Sequence, residues 1–361
     1  MTVLTAEATI PTAAGSAYVA AVCERLLKAE FAANADSASG RIELRDGLGI
    51  GTLEALSGRL RMKAEAPTEQ GLSILKFLLS MHVEEVAAAE KPDVVWTGDG
   101  CGLEVLPSFR EMTVLRVADV TPHVRRITLT GHDLKRFESD SVHVRLLFPP
   151  EGLAIPEWPK PGKNGRPVWP PEDRKPAQRV YTIRRIDAAS AEMDIDFVMH
   201  EVPGIASGWA ARAKAGTIVG LLGPGGREMT SNDWVLLAGD ETAIPAMARI
   251  LEKLPATTRG VALIEAEDAR EVQELAHPAG VEVRWLFRSG EEPGRNTLLA
   301  DAVMAVRWPA DGSSYAWLGA EEATARRLRA YWRDEMGLEK GRWQAVSYWT
   351  HAANAGEKSA A

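Results

Sequence analysis

The feature that most constrains the fold is a change of hydrophobic pattern near residue 233. From Thr113 to Leu147 apolar and polar residues alternate in short runs, as in strands with one buried face. Beyond it, the continuous apolar runs Trp234–Ala238 and Val261–Ile264 flank a helical pattern from about Glu241 to Leu254. Doubly buried strands separated by helices indicate a parallel sheet. We therefore predict an antiparallel β-barrel or sandwich followed by an α/β domain.

The first hundred residues predict a separate small α+β domain. Helical spacing of apolar residues runs over 16–33 and 68–90, and the short alternating runs 41–45 and 59–63 indicate strands. The chain is thus predicted to be multidomain, with these parts: an α+β domain at 1–98, a linker at 99–112, a β-barrel at 113–230, a nucleotide-binding-like α/β domain at 233–352 and a tail at 353–361.

Charge and composition exclude several classes of protein. A formal net charge of −8 argues against a nucleic-acid partner. There is no uncharged apolar run of about 18 residues and no basic-then-apolar leader, so we expect no membrane insertion and a cytoplasmic protein. The two cysteines, Cys23 and Cys101, lack the spacing of a metal cluster or a disulfide framework.

The run Arg179-Val180-Tyr181-Thr182-Ile183-Arg184 carries the most chemistry. In an extended strand Arg179 and Tyr181 share a face, and Thr182 points to the opposite face unless the strand twists or ends. The tyrosine ring could stack on a flavin and the arginine could meet a pyrophosphate. An exposed strand edge with a basic rim is the alternative that these six residues leave open.

Two further segments could complete an anion site. The strand Asp196–His200 is followed by Gly204–Ala210, where Ser207 is a candidate helix cap and the free N–H groups of a helix start could bind phosphate. Gly223-Pro224-Gly225-Gly226 closes the β-domain and, taken alone, predicts a plain turn.

These motifs in this order resemble the siderophore-interacting proteins, FAD-dependent ferric-siderophore reductases of the ferredoxin-reductase-like class. The resemblance covers roughly residues 113 to 352, while residues 7 to 98 resemble a small domain family of unassigned function. The resemblance to the siderophore-interacting proteins rests on these segments: Arg179–Arg184, Asp196–His200, Ala206-Ser207-x-Trp209-Ala210, Gly223–Gly226, Ala238-Gly239-Asp240-Glu241-Thr242-Ala243-Ile244-Pro245 and Tyr348-Trp349.

The resemblance implies a set of FAD contacts. Tyr181 would stack on the isoalloxazine, with Thr182 near its reactive edge and Arg179 also holding the cofactor. The remaining implied contacts are Val198 and His200 at the adenosine and ribitol end, and the backbone N–H groups of Ala206 and Ser207 at the pyrophosphate. The chain departs from the family pattern in the loop His200–Ser207, where Glu201 is gained and Ile205 replaces a proline, and at Thr350-His351-Ala352.

The electron donor is less well specified by the sequence. Asp240 and Thr242, in the loop after the first α/β strand, are candidate cofactor contacts, although two adjacent carboxylates repel a pyrophosphate and Asp240 could equally cap a helix. The acidic run Glu265-Ala266-Glu267-Asp268 favours NADH over NADPH if a nicotinamide donor is used. A reduced ferredoxin is a further donor that the family resemblance allows.

An anionic ferric siderophore calls for a locally basic pocket. Arg184, Arg185, Arg284 and Arg288 are the candidate contacts, each of which could instead be a solvated surface charge. The proline- and tryptophan-rich segment 149–178, with a basic stretch from Lys160 to Lys175, is either a disordered insertion or an ordered flap over that pocket. No resident metal is expected, because the spacing of His123, His132, His143 and His200 does not suit metal ligands.

Three functions remain open at this stage. They are a flavin-dependent ferric-siderophore reductase, a general NAD(P)H-dependent flavin electron-transfer protein, and a non-catalytic siderophore carrier or regulator. The electron-transfer step itself needs no acid–base residue.

Overall fold

The computed structural model describes residues 2–29, 31–139, 141–153, 155–200, 204–226 and 232–351. The chain divides into two compact units, Met1–Phe109 with Pro149–Pro176, and Arg110–Phe148 with Ala177–Ala361. Of the departures from the family pattern, Glu201 and Ala352 lie outside the described residues, as does the predicted tail at 353–361.

The first unit is an antiparallel sheet with two helices packed on it. The sheet has six strands in the order β2-β3-β4-β5-β1-β6. Its core unites the apolar faces of α1 and α2 with the inward residues of the sheet. Its elements are β1 Leu4–Pro11, α1 Gly15–Lys28, β2 Ala32–Ala35, β3 Ser39–Leu44, β4 Gly49–Leu56, β5 Arg59–Ala66, α2 Glu69–Val86 and β6 Thr97–Gly98.

The two helices of this unit differ in how well they match the sequence pattern. Thr68 caps α2 by accepting a hydrogen bond from the Gly71 N–H, and this helix begins where the sequence predicts. The first helix instead stops at Lys28, and Ala32–Ala35 pairs with β3 as an edge strand. Sheet pairing outweighs the helix propensity of these alanines, because the propensity is a weak prior beside tertiary hydrogen bonds.

The insertion 149–176 belongs to this first unit rather than to the barrel that surrounds it in sequence. It contains a small hairpin, β10 Lys160–Pro161 paired with β11 Pro167–Val168. The Trp158 ring lies against Phe109, with centroids 5.3 Å apart. The described part of this segment is therefore ordered, and a role as a flap over the substrate pocket stays a prediction.

The second unit opens with the predicted barrel. Six antiparallel strands close in the order β12-β13-β8-β7-β14-β9. Alternate strand side chains such as Ile183 and Phe197 fill its interior, together with Phe137 from the short 3₁₀ helix Lys135–Glu138. The elements are β7 Phe109–Thr121, β8 Val124–Thr130, β9 His143–Phe148, β12 Ala177–Asp187, β13 Glu192–Val198, α3 Ile205–Arg212 and β14 Ile218–Gly225.

A parallel five-stranded sheet follows, in the order β17-β16-β15-β18-β19. Helices on both faces make two apolar cores, as strands buried on both faces require. The elements are β15 Trp234–Gly239, α4 Ile244–Lys253, β16 Arg259–Ala266, β17 Val281–Phe287, α5 Leu298–Met304, β18 Ser314–Glu321, α6 Glu322–Ala330 and β19 Trp343–Trp349.

Two local predictions were wrong. Gly223–Gly226 is not a plain turn, because β14 continues to Gly225, which lies opposite His143 of β9. Ser207 is not the cap of α3: Gly204 holds that position, and the Ser207 hydroxyl accepts a hydrogen bond from the Gly204 N–H at 2.9 Å. Among the described residues no helix is long and apolar enough to span a membrane.

Candidate cofactor site

Strand β12 brings the predicted flavin residues to one place. Tyr181 is half-buried, with its ring 4.4 Å from that of Phe197 on the neighbouring strand β13. Thr182 is buried on the other side of the strand, so the alternation expected from the sequence holds. Arg179 is exposed near the start of the strand. Burial raises the pKa of Tyr181, so its hydroxyl stays protonated at neutral pH.

Helix α3 lies beside this strand because its Trp209 is packed into the barrel wall. The Trp209 ring contacts Phe148 and Phe197 at centroid distances of 5.2 and 5.7 Å. The first N–H groups of a helix have no acceptor within it, and here they belong to residues that include Ala206 and Ser207. An anion at this position would therefore find donors and the positive end of the helix dipole.

Val198 ends β13 and His200 follows two residues later, which places both near the strand-to-helix connection. Val198 is half-buried, and His200 is exposed as a whole residue. Partial desolvation of its ring lowers the pKa of His200, while the Glu241 carboxylate opposes that effect. The contact of Val198 and His200 with the adenosine and ribitol end of FAD stays a prediction.

These features fit FAD. Tyr181 presents an aromatic ring supported from behind by Phe197, α3 offers unpaired backbone donors, and Arg179 supplies an exposed cation. Such a set matches the flat ring and the doubly charged pyrophosphate of the cofactor.

His143 joins this site to the α/β domain, a role that the sequence did not reveal. It starts β9 directly opposite Thr182, and its Nδ1 lies 3.3 Å from the Thr182 hydroxyl. Its Nε2 lies 3.4 Å from the Tyr348 hydroxyl on β19. Burial lowers the pKa of His143, and the Arg249 guanidinium adds to this, so the ring is neutral at neutral pH.

The His143 ring connects two hydroxyl groups. With the proton on Nδ1 the ring donates to Thr182 and accepts from Tyr348, and with the proton on Nε2 both directions reverse. In either tautomer His143 fixes the orientation of the Thr182 hydroxyl, which lies next to Tyr181 in β12.

Asp240 caps the turn after β15. The backbone N–H and hydroxyl of Thr242 donate to its Oδ1 at 3.0 and 2.5 Å, and the Trp349 indole donates to Oδ2 at 2.8 Å. Burial raises the pKa of Asp240 to about 6, against the opposing effect of these donors. The capping role left open by the sequence is the one observed, and a cofactor contact of Asp240 or Thr242 stays a prediction.

The predicted siderophore arginines each contact a carboxylate of the chain. Arg184 pairs with Glu252 at 2.9 Å, Arg185 with Asp194 at 2.8 Å, and Arg284 with Glu282 at 2.6 Å. Their assignment to the substrate stays a prediction.

The structure does not favour Arg288 as a substrate contact. Its side chain is 3% exposed and lies 2.5 Å from Glu241, 3.4 Å from Glu265 and 3.3 Å from Glu267. A guanidinium enclosed by carboxylates has no surface to offer an anion. Glu241 follows β15, whereas Glu265 and Glu267 lie at the end of β16, so the sequence does not show their convergence on Arg288. Within the described residues no three His, Cys, Asp or Glu side chains are placed to hold a metal ion.

Comparison with known proteins agrees with this geometry. Residues 113–228 match the siderophore-interacting FAD-binding domain, residues 232–352 the siderophore-interacting protein family, and residues 7–97 a family of uncharacterized proteins conserved in bacteria, DUF2218. The ferric vibriobactin reductase ViuB of Vibrio cholerae is 32% identical over 250 residues, which are 68% of this chain and 90% of that protein.

Two other similarities cover the same part of the chain. The NADPH-dependent ferric-chelate reductase of Escherichia coli is 33% identical over 67% of this chain and 92% of its own length. The crystal structure of a siderophore utilization protein from T. fusca is 34% identical with a TM-score of 0.58, over 68% of this chain and 93% of that one. By these similarities and by its cofactor site, the chain belongs to the siderophore-interacting protein family.

Proposed function

We propose that this protein uses FAD to reduce ferric siderophores and so releases Fe(II) for assimilation. The observation that carries the proposal is the β12 site, where the Tyr181 ring, the Thr182 hydroxyl and the nearby start of α3 offer the contacts that a flavin dinucleotide needs. Relatives named as reductases of ferric vibriobactin, ferric acinetobactin and ferric chelates support the substrate class.

The residues of the chain act by binding and orienting. Bound FAD would supply the redox chemistry, as a carrier between a two-electron donor and the one-electron reduction of iron. Tyr181 would cover one face of its ring, and burial keeps the tyrosine hydroxyl neutral. Arg179 and the α3 N–H groups would hold the pyrophosphate, and the Thr182 hydroxyl, beside His143, would be the hydrogen-bonding group for the ring system.

Iron enters and leaves with its chelator as substrate. Fe(III) is held by hard, oxygen-rich ligands, which bind Fe(II) less strongly, so reduction by itself promotes release. The site needs only to place the ferric complex near the flavin. Arg184, Arg185 and Arg284 could bind an anionic chelate only in competition with the carboxylates that they now contact.

The donor in this proposal is a nicotinamide nucleotide, with NADH preferred. The carboxyl edge of the parallel sheet carries Asp240, Glu241, Glu265 and Glu267, with Arg288 as the buried cation between three of them. A 2′-phosphate would add negative charge beside these groups. We expect kcat/KM to be higher for NADH than for NADPH, and an equal or reversed ratio would remove this part of the proposal.

A steady-state assay separates the reductase from the two other functions. Purified protein with FAD and NADH is given ferric siderophore or ferricyanide. Fe(II) from the siderophore is trapped by a colour-forming chelator, and ferricyanide reduction is followed by the loss of its own absorption. Reduced ferredoxin replaces NADH in a parallel series. Preferential turnover of ferric siderophore supports the proposal, whereas equal turnover of ferricyanide favours a general electron-transfer protein. Fractionation of the native host would test the cytoplasmic location that belongs to the same proposal.

A further inference from the structure

The hairpin of the insertion is docked on the N-terminal α+β part by a backbone hydrogen bond. The Trp96 N–H donates to the Lys163 carbonyl at 3.0 Å. The Lys163 ammonium lies 2.9 Å from the Asp93 carboxylate, so the same residue is held at both its backbone and its side chain. A backbone bond fixes the register of the turn, which a flexible ion pair alone would not do.

Glu84 on α2 holds the other half of this turn. Its two carboxylate oxygens accept from the Asn164 amide at 2.9 Å and from the Arg166 guanidinium at 2.7 Å. The Glu84 side chain is only 22% exposed. Charge-assisted contacts that satisfy both oxygens of one shielded carboxylate are stronger than a single exposed ion pair.

The shape of the turn fits the surface of α2 at Gly165. Its φ of +75° favours glycine, and a Cβ there would lie 2.8 Å from the Cβ of Lys76. Gly152, in the same insertion, has a similar φ of +84° but would place its Cβ in open space. The close approach at Gly165 is thus a property of the docking and not of the turn alone.

The insertion that carries the hairpin leads into the strand that carries the flavin residues. The insertion leaves the barrel after Phe148 at the end of β9 and returns at Ala177, the first residue of β12. Arg179 follows two residues later and Tyr181 four residues later. An insertion held at its hairpin restricts the chain that enters this strand, whereas a free insertion would let the start of β12 fray.

We propose that Lys76, Glu84, Asp93 and Trp96 form a docking surface whose partner is the hairpin of the chain's own insertion, and that this docking secures the entry to β12 and so strengthens FAD binding. The second half of this statement rests on the proposed function. The N-terminal part thereby acts as an internal clamp for the reductase.

The test uses the full chain and measures two quantities for each variant. Hydrogen–deuterium exchange reports docking at Trp96 and at residues 160–168, and fluorescence titration reports the dissociation constant of FAD. E84R places like charges opposite Arg166, and E84R/R166E restores an opposite pair. Gly165→Ala adds a Cβ against Lys76, and Gly152→Ala is its matched control, with the same backbone cost and no neighbour.

We expect about fivefold faster exchange at the hairpin and a similarly weaker affinity for FAD in E84R and Gly165→Ala, the effect of losing one such contact. E84R/R166E and Gly152→Ala should resemble the wild type. Unchanged exchange in E84R would overturn the docking surface. Faster exchange with unchanged FAD affinity would overturn the clamp. A wild-type protein that binds no FAD would instead contradict the proposed function, while the exchange measurements still decide the docking.

Discussion

Two buried polar regions of the second unit differ in what they leave available to a ligand. Around β12, Thr182, His143 and Tyr348 form a chain of uncharged hydrogen-bonding groups next to the Tyr181 ring. At the carboxyl edge of the parallel sheet, Arg288 is enclosed by Glu241, Glu265 and Glu267, so its charge is used internally. The first arrangement can serve a cofactor, whereas the second holds connecting loops together.

The largest effect should come from removing the cation of the Arg288 cluster. Arg288→Met leaves Glu241 and Glu265 buried without their cation, and we expect a loss of about 3–5 kcal/mol in the free energy of unfolding. Urea denaturation measures this, with Arg284→Met as the control at an exposed pair that contributes about 0.5 kcal/mol. A loss at Arg288 no greater than at Arg284 would show that the cluster is not a structural element.

Asp240 lies between the two regions, and its titration should be visible in stability. Its pKa of about 6 when folded is above the usual value near 3.8. Between these values the folded protein holds a proton that the unfolded chain has released, so stability falls as pH rises through about 4 to 6, by roughly 2–3 kcal/mol in all.

The difference between the wild type and Asp240→Asn isolates this contribution. The variant lacks the titrating group, so the fall between pH 4 and 6 should disappear from its unfolding profile. His143 remains in both proteins, and its lowered pKa gives stability that rises with pH, which cancels in the comparison. Identical pH profiles for the two proteins would contradict a raised pKa at Asp240.

Tyr181→Ala tests the β12 site directly. We expect FAD affinity to fall by about 1–3 kcal/mol through lost stacking and lost apolar contact. Tyr181→Phe keeps the ring over Phe197 and should bind FAD almost as the wild type does. Fluorescence titration measures both, and full affinity in the alanine variant would move the flavin away from β12.

The smallest effect concerns how His143 acts through Thr182. His143→Leu should weaken FAD binding by about 1 kcal/mol, because the Thr182 hydroxyl loses its fixed orientation. In a Thr182→Val background the same change should have no further effect, which a double-mutant cycle detects. His132→Leu on an exposed turn is the control. Additive losses would mean that His143 contributes independently of Thr182.

The sequence predicted what depends on local pattern. The alternation from Thr113 to Leu147 and the strand–helix order after residue 233 correctly predicted the barrel and the parallel sheet, and the pattern of Arg179–Arg184 correctly predicted a strand. The family resemblance was confirmed as well. Ser207 was misplaced as a cap because Gly204 has little cap signal of its own, although both residues belong to the same helix start.

What the sequence could not predict depends on long-range convergence. Arg288 meets Glu241, which is 47 residues away, and Arg166 meets Glu84, which is 82 residues away. His143 faces Thr182 only because β9 and β12 are neighbours in the closed barrel. Each of these pairings requires the strand order or the docking of the insertion, neither of which leaves a trace in local spacing.

An anaerobic visible spectrum can follow electrons from the donor through the flavin to iron in one sample. Purified protein reconstituted with FAD is reduced with one equivalent of NADH, and a ferric siderophore is then added in the absence of oxygen. We expect the flavin absorption band to bleach and then to return in proportion to the iron added, with Fe(II) appearing in step. A band that bleaches but does not return on adding the ferric siderophore would contradict the proposed function.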